Sequence, residues 1–384
     1  MKTNRWLLLS LMSLIITGLS CKSQNQSDNK SSKALDLRSI CQLPDQLIES
    51  SGIAIEGSNR IWSHEDSGNA NSLFCFDSTG TLLRTIEIIN AENIDWEDLT
   101  TDNDEHWFIE DAGNNDNDRT DLIIYVIPSP ETFSGNQISA GIIRFTLSDQ
   151  TGFPPPSSNR NYDIEAMAWH QNSLYLFTKD RSNPFTGYTK MYVLPDLPGT
   201  YVARLAGSCF IAGEEETGRI TSADINHHTG ELILLTHAGL VSFTAYPENR
   251  FFEGTRTDYH FTTEPGQNEG IAFVSTTRLY MSEEGSNSNP GKLYDIRLPQ
   301  PQLGIIKPDQ EPLIAVYPNP FSKSIFISNQ QHSRVELIDC TGNLLFSSTS
   351  PGDINIDTES LKPGLYIIRT TAGNGIFQNK IIKI

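Results

Sequence analysis

Short apolar segments with a period of two residues dominate residues 35–298, and turn-forming residues separate them. Five of these segments begin alike, with a polar or acidic stretch that runs into a small apolar strand. Each is followed by a second apolar strand that ends in polar residues, then by a third, and in four cases by a weaker fourth. The five starts are 49–54, 95–100, 163–168, 220–225 and 267–272. This pattern predicts an all-β fold, a five-bladed β-propeller.

The fifth repeat ends near residue 298 without a fourth strand, and an unassigned apolar segment, 36–43, precedes the first repeat. We expect this N-terminal strand to close the last blade, because closure removes an open sheet edge. A sixth repeat would have to lie in the insertion around 152–161. Three consecutive prolines there favour a loop instead.

The third residues of the five starts would point towards the propeller axis. Three carboxylates about 5 Å apart repel one another by roughly 3 kcal/mol per pair at an effective dielectric constant near 20. They therefore require protons, basic partners or a cation. Calcium is the expected cation outside the cell, because it prefers hard oxygen ligands; protonated, water-filled carboxylates are the alternative. The predicted metal ligands are Ser51, Glu97, Glu165, Ser222 and Glu269.

Antiparallel pairing places the ends of the second strands on the same face as the starts of the first strands. Acidic and imidazole side chains collect at these ends, so one face of the propeller is a candidate active site. The predicted catalytic bases are Asp66, Asp111 and His237. The predicted substrate-binding residues are His64, Lys179, Asp180 and Glu284. Asp-x-Gly-Asn segments are also ordinary turn formers, and for any single exit this alternative stays open.

The N-terminus carries an export signal. Lys2 and Arg5 precede an apolar run and small residues, so residues 1–20 read as a signal peptide. Cys21 follows directly and is a candidate for lipidation, with 21–34 as a polar tether; ordinary signal-peptidase cleavage is the alternative. We expect a protein of the cell surface or extracellular space that meets a membrane only through such an anchor.

The C-terminus is a separate domain after a proline-rich linker, 299–312. Alternating strands and glycine turns over 313–384 predict a small Ig-like β-sandwich. Its Val-Tyr-Pro-Asn-Pro-Phe segment and its terminal Lys-Ile-Ile-Lys-Ile resemble the C-terminal sorting domain of the type IX secretion system of Bacteroidetes. This resemblance implies that the secretion machinery is a partner. The alternative is a carbohydrate-binding or spacer module.

The distribution of charge and the spacing of the cysteines indicate which partners and metal sites the chain can have. The formal net charge is −19, and the negative charge is concentrated in residues 35–312. Such a domain repels nucleic acid and anionic lipid and attracts cations, so no nucleic-acid partner is expected. The five cysteines lack zinc-ligand spacing. We expect those after Cys21 to be free core thiols, with one disulfide as the alternative.

The order Ser, Glu, Glu, Ser, Glu, one residue per repeat, resembles the calcium-activated nucleotidase (apyrase) family, and Asn-Glu-Gly-Ile-Ala at 268–272 also occurs in phytase-like propellers. The resemblance implies a central calcium held by the five predicted ligands and hydrolysis of nucleoside diphosphates. This chain departs from the family in its acidic face, where Lys179, Arg181 and Arg119 are the available cations.

Two functions therefore remain open. The first is a secreted calcium-dependent hydrolase of phosphate esters or anhydrides, with water as the nucleophile because no GxSxG motif occurs. The second is a non-catalytic surface propeller with structural calcium that binds a small molecule, a glycan or a protein.

Overall fold

The computed structural model describes residues 32–57, 59–102, 105–286, 289–299, 314–329, 333–339, 342–349, 352–372 and 375–384. It contains two compact units, Met1–Gln300 and Pro301–Ile384. The predicted signal peptide, Cys21, most of the tether, most of the linker and Cys340 lie outside the described residues. Within them, no helix is both long and apolar enough to cross a membrane.

The described part of the first unit is all-β apart from four short helical turns. Its helix α1 is Glu215–Gly218, and its 3-10 turns are Pro130–Thr132, Ser157–Asn159 and Phe251–Glu253. Its strands are β1 Lys33–Leu35, β2 Arg38–Gln42, β3 Ser50–Glu56, β4 Arg60–Glu65, β5 Ser72–Phe76, β6 Leu82–Ile88, β7 Trp96–Thr101, β8 His106–Asp111, β9 Ile123–Pro128, β10 Gln137–Ile138, β11 Gly141–Leu147, β12 Asp163–Trp169, β13 Ser173–Lys179, β14 Tyr188–Pro195, β15 Gly199–Phe210, β16 Ile220–Ile225, β17 Leu232–Thr236, β18 Gly239–Thr244, β19 Thr255–Phe261, β20 Asn268–Ser275, β21 Arg278–Glu283 and β22 Lys292–Arg297.

These strands form four sheets in the described part of the unit. One runs β3-β4-β5-β6 and gains β10, and a second runs β16-β17-β18-β19 and gains β1. A third, of eight strands, joins β7-β8-β9-β11 to β12-β13-β14-β15 through a parallel pairing of β11 with β15. The fourth runs β20-β21-β22 and ends with β2, which pairs antiparallel with β22. The predicted N-terminal strand therefore lies beside the last repeat. The short strands β1 and β10 were not predicted.

Strands β3, β7, β12, β16 and β20 stand at the inner side of these sheets, and we call them the inner strands. Each contacts the next, and β20 contacts β3. Small residues permit this approach: a Cβ added to Gly270 would lie 2.5 Å from the carbonyl oxygen of Ser51. The insertion around 152–161, the alternative place for a sixth repeat, contains one 3-10 turn and no strand.

The hydrophobic core lies between neighbouring sheets. Trp62 of β4 packs in one cluster with Trp96 and Trp107 of the next sheet, and Phe177 and Phe243 share another. Because a sheet covered on both faces needs apolar side chains on both, the second strands read as nearly continuous hydrophobic runs. Cys41 and Cys75 are free thiols.

The described residues of the second unit form two sheets around one core. Its strands are β23 Ile314–Tyr317, β24 Ser324–Asn329, β25 Ser333–Asp339, β26 Leu344–Ser348, β27 Ile354–Asp357, β28 Gly364–Ala372 and β29 Gly375–Lys383. The sheets run β23-β24-β27 and β26-β25-β28-β29. Alternate residues of β24 and β25, among them Ile325, Ile327 and Leu337, fill the core.

Candidate functional site

Each inner strand has a register irregularity near its start. Ser51, Glu97, Glu165 and Glu269 stand where the pairing with the second strand is interrupted. In β16 the interruption falls at Thr221. A β-bulge redirects a side chain and ends regular pairing. The side chains at these bulges therefore do not follow the regular two-residue alternation of the strand. The sequence pattern did not predict the bulges.

The two predicted serine ligands are engaged in hydrogen bonds that join inner strands. Ser51 Oγ donates to the backbone oxygen of Glu97 at 2.6 Å. Ser222 Oγ donates to Asp98 Oδ1 at 3.1 Å and accepts from Ile271 N at 3.1 Å. Both hydroxyls therefore have structural partners.

Asp98, which sequence reasoning missed, is the centre of these connections. Its fully buried carboxylate accepts from the backbone N–H groups of Met167 at 2.9 Å and Ala223 at 3.1 Å, besides Leu99 N and the Ser222 hydroxyl. Burial raises the pKa of Asp98, and the donors oppose that effect. One side chain thus links β7 to β12 and β16.

Glu165 is neutralised by cations that the sequence analysis did not place beside it. Lys179 Nζ lies 2.9 Å from one of its carboxylate oxygens and Arg181 Nη2 lies 2.7 Å from the other. Arg181 Nε also contacts buried Asp163 at 2.5 Å. Burial alone would raise the pKa of Glu165, but the two cations outweigh it and hold the pKa well below its usual range. The predicted antiparallel pairing of first and second strands could have indicated this contact. It places the end of β13 beside the start of β12, where Lys179 pairs with Asp163.

A different set of acids converges at the same end of the inner strands. One carboxylate oxygen from each of Asp66, Asp95 and Glu97 lies within 4.8 Å of the other two, and no other such group of three occurs among the described residues. We call these three residues the carboxylate group. Glu97 is 6% exposed, and no hydrogen bond or ion pair reaches its carboxylate among the described residues. At Gly113, a Cβ would collide with the carboxylates of Glu97 and Asp95, so glycine leaves room for them.

The electrostatics of the carboxylate group favour neutralisation. Burial, with the charges of Glu165, Asp66 and Asp95, raises the pKa of Glu97 well above its usual value. Burial, Asp66 and Glu165 raise the pKa of Asp95 to about 7. Asp95 was not among the predicted ligands, although Asp95 and Glu97 bracket the start of β7.

Glu269 and Glu284 add further acid beside this group. Glu269 is buried, and its Oε2 atom has no hydrogen-bond partner. Burial raises its pKa to about 7 against the opposing charge of Lys179. Glu284 is half-buried, and burial followed by repulsion from Glu269 and Asp66 raises its pKa to about 8.

The carboxylates of Asp111 and Asp180 already accept hydrogen bonds from neighbouring residues. Asp111 accepts from Asp95 N at 3.1 Å and pairs with Arg119 at 3.0 Å, while its Oδ2 atom is unpartnered. Asp180 accepts from Ser182 N, Gly187 N and both donors of Thr186. For Asp180 this is the turn chemistry that remained an alternative.

The two histidines among the predicted site residues differ in exposure. His64 is fully buried against Trp96, with ring centroids 5.5 Å apart, and burial lowers its pKa to about 4. His237 is half-buried, with Nδ1 3.3 Å from Asn268 Oδ1, and burial and Lys179 lower its pKa. Of the predicted site residues, Asp66, His237 and Glu284 are those that retain substantial exposure on this face.

Comparison with known proteins identifies the second unit. Residues 315–384 match the family described as secretion system C-terminal sorting domain. This segment is a type IX sorting domain. The predicted resemblance is confirmed for this part of the chain, and the protein is exported to the cell surface or extracellular space. The sorting domain implies interaction with the type IX secretion machinery.

Solved structures also show weak similarities that extend beyond the sorting domain. No curated protein matches the chain by sequence. PorZ, an essential surface component of the type IX secretion system of Porphyromonas gingivalis, aligns with TM-score 0.35 and 12% identity over 87% of this chain and 45% of PorZ. A Bacteroides thetaiotaomicron protein of unknown function aligns with TM-score 0.38 and 7% identity over 68% of this chain and 76% of its own. The chain therefore spans less than half the length of PorZ, and such scores carry no information on function.

Proposed function

We propose that the first unit is a five-bladed β-propeller that binds calcium at the carboxylate group and is displayed outside the cell. The mutual contacts of five inner strands, each starting a separate run of antiparallel strands, support this blade count. The eight-stranded sheet then corresponds to two blades joined at their outer strands, β11 and β15. Strand β2 supplies the fourth strand of the last blade.

The observation that carries the calcium proposal is the unpartnered, buried carboxylate of Glu97 beside Asp66 and Asp95. An unpaired buried carboxylate is costly unless it gains a proton or a cation. Three hard oxygen ligands suit calcium, which completes its coordination with further oxygens or water. Of the five ligands predicted from sequence, this proposal retains Glu97, leaves Glu269 as a neighbouring charge, and assigns Ser51, Glu165 and Ser222 to the contacts described above.

We expect calcium to raise the melting temperature of the protein, with EDTA reversing the effect. Asp66→Asn should weaken calcium binding by at least about tenfold, because it removes a charged ligand at little change in volume. Binding should be measured by isothermal titration calorimetry. Asp116→Asn, an exposed change in a neighbouring loop, is the matched control and should bind as the wild type does.

The pH dependence provides a second check on the same prediction. Because the pKa of Asp95 is raised to about 7 and that of Glu97 is also raised, protons compete with calcium. Without calcium, these two acids contribute stability at low pH that is lost as the pH rises through their folded-state pKa values. Calcium stabilisation should therefore grow from pH 5 to pH 8. A melting temperature indifferent to both calcium and EDTA would exclude the site.

A calcium-dependent phosphohydrolase is the second candidate, and the half-exposed Asp66, His237 and Glu284 favour it. These groups lie on the face of the carboxylate group and could act on a water molecule. Lys179 and Arg181 are already paired with Glu165 and Asp163. An anionic substrate would therefore depend on the bound cation to offset the acidic face.

If this second candidate is correct, the protein releases phosphate from ADP or p-nitrophenyl phosphate, and EDTA abolishes the release. His237→Gln should then lower kcat with little change in calcium affinity, whereas Asp66→Asn should lower both. A colorimetric phosphate assay checks this. Calcium stabilisation without turnover would exclude the hydrolase candidate. The protein would then be a non-catalytic surface propeller, and binding assays would identify its small-molecule, glycan or protein ligand.

A further inference from the structure

We propose that Asn268 is a positioning residue for His237. Its buried amide holds the imidazole with the proton on Nδ1, so that Nε2 is the atom that accepts a proton or a hydrogen bond from a ligand. This inference deepens the hydrolase candidate and rests on it for the role of His237 as a base. Neither the sequence pattern nor the comparisons assign a role to Asn268.

The orientation of the Asn268 amide is fixed by its neighbours. Asn268 is the first residue of β20 and is fully buried. Its Nδ2 atom donates to the backbone oxygen of Thr236 at 3.0 Å and to Met281 Sδ at 3.5 Å. A carbonyl oxygen can only accept, so an amide turned the other way would bring two acceptors together. The side-chain oxygen, Oδ1, is therefore the atom beside His237.

This orientation decides which nitrogen of His237 carries the proton. Asn268 Oδ1 lies 3.3 Å from His237 Nδ1. An amide oxygen has no proton to donate, so Nδ1 must be the donor. A neutral imidazole carries one proton, and its other nitrogen is an acceptor. In neutral His237 this acceptor is Nε2.

The Nε2 atom of His237 is accessible to a ligand. His237 follows the last residue of β17, in the two-residue turn that joins β17 to β18. A backbone hydrogen bond from Ala238 N to Glu216 O, at 3.1 Å, holds this turn. Among the described residues no hydrogen bond reaches Nε2, and Nε2 is not one of the buried atoms that lack a partner. The half-buried side chain therefore exposes Nε2 on the face of the carboxylate group.

The surroundings of His237 keep the imidazole neutral. Burial is the largest effect that lowers its pKa, and the charge of Lys179 adds to it. Glu216, Asn268 Oδ1 and Glu165 act in the opposite direction without outweighing these two effects. A general base must be unprotonated before it acts, and an imidazolium would have no acceptor to offer. The neutral form with a free Nε2 meets this requirement.

The test is ¹⁵N NMR of the protein labelled with ¹⁵N-histidine, because the two tautomers give different shifts at Nδ1 and Nε2. His237→Gln identifies the signals of His237 by their loss. At pH 8 we expect a single tautomer with the proton on Nδ1. Asn268→Leu removes the acceptor at similar volume and should abolish this preference. Asn268→Asp should raise the pKa of His237 by at least about one unit, because a carboxylate replaces the amide oxygen.

Asn161→Leu is the matched control for Asn268→Leu. Asn161 is also a buried amide near the start of an inner strand, where it donates to Tyr188 O at 2.8 Å and accepts from Thr178 Oγ1. No hydrogen bond joins it to His237 among the described residues, so the tautomer of His237 should not change. The proposal is overturned if wild-type His237 carries its proton on Nε2, which the wild type shows even if Asn268→Leu does not fold. It is also overturned if Asn161→Leu alters the tautomer as Asn268→Leu does.

Phosphate release separates this inference from the hydrolase candidate. If the protein is a hydrolase, Asn268→Leu should lower kcat at least about tenfold with little change in calcium affinity. In Asn268→Asp, the acid limb of the pH profile of kcat should move to higher pH with the pKa of His237. The expected tautomer without turnover excludes the hydrolase and leaves Nε2 as an acceptor for a bound ligand. Turnover with the proton on Nε2 overturns this inference and leaves the hydrolase.

Discussion

Replacing Asp98 by Ala is expected to lower the free energy of unfolding by about 4 kcal/mol. The substitution removes the acceptor for the backbone N–H groups of Met167 and Ala223 and for the hydroxyl of Ser222. These groups are buried, and each buried donor without a partner costs about 1–3 kcal/mol. The loss should appear as a lower midpoint in urea-induced unfolding monitored by tryptophan fluorescence.

Asp77→Ala is the matched control for Asp98→Ala. Asp77 Oδ1 also accepts several donors, from Thr79 N, Thr79 Oγ1 and Thr81 N, but in a loop near solvent. Water replaces a lost partner there, so we expect a change of about 1 kcal/mol or less. Equal losses for the two variants would show that Asp98 does not hold the inner strands together.

Replacing Arg181 by Ala is expected to cost about 3–5 kcal/mol of unfolding free energy, because it leaves two buried carboxylates short of a partner. Arg181 pairs with Asp163 and Glu165, and the side chain of Glu165 is 2% exposed. The expected result is a large fall in the urea midpoint at neutral pH. The deficit should shrink in acid, because protonated Asp163 and Glu165 no longer need the cation.

Arg250→Ala is the control for Arg181→Ala, since Arg250 also forms two ion pairs. Its partners are Glu248 and Glu253, and its side chain is 49% exposed. Exposed pairs contribute about 0–1 kcal/mol, so this variant should remain close to the wild type. An Arg181→Ala variant that is equally stable would contradict the assignment of Glu165 to an internal ion-pair network rather than to a metal.

The proposed metal site could be predicted from the sequence only in part. The repeat predicted which strand starts carry Ser51, Glu97, Glu165, Ser222 and Glu269, and the structure places all five near the starts of inner strands. Their partners depend on contacts between segments far apart in the chain, which no local pattern contains. Ser222, for example, meets Asp98 across 124 residues.

The all-β class, the positions of the repeated strands and the type IX sorting domain can be predicted from the amino-acid sequence. Hydrophobic periodicity and turn residues are local, and the sorting motifs are specific. The three-dimensional fold is needed to see that Lys179 and Arg181 neutralise Glu165, and that Asp66, Asp95 and Glu97 converge. Charge and hydrogen-bond pairing depend on distances of a few ångströms between separate strands, and bulges and packing set these distances rather than spacing along the chain.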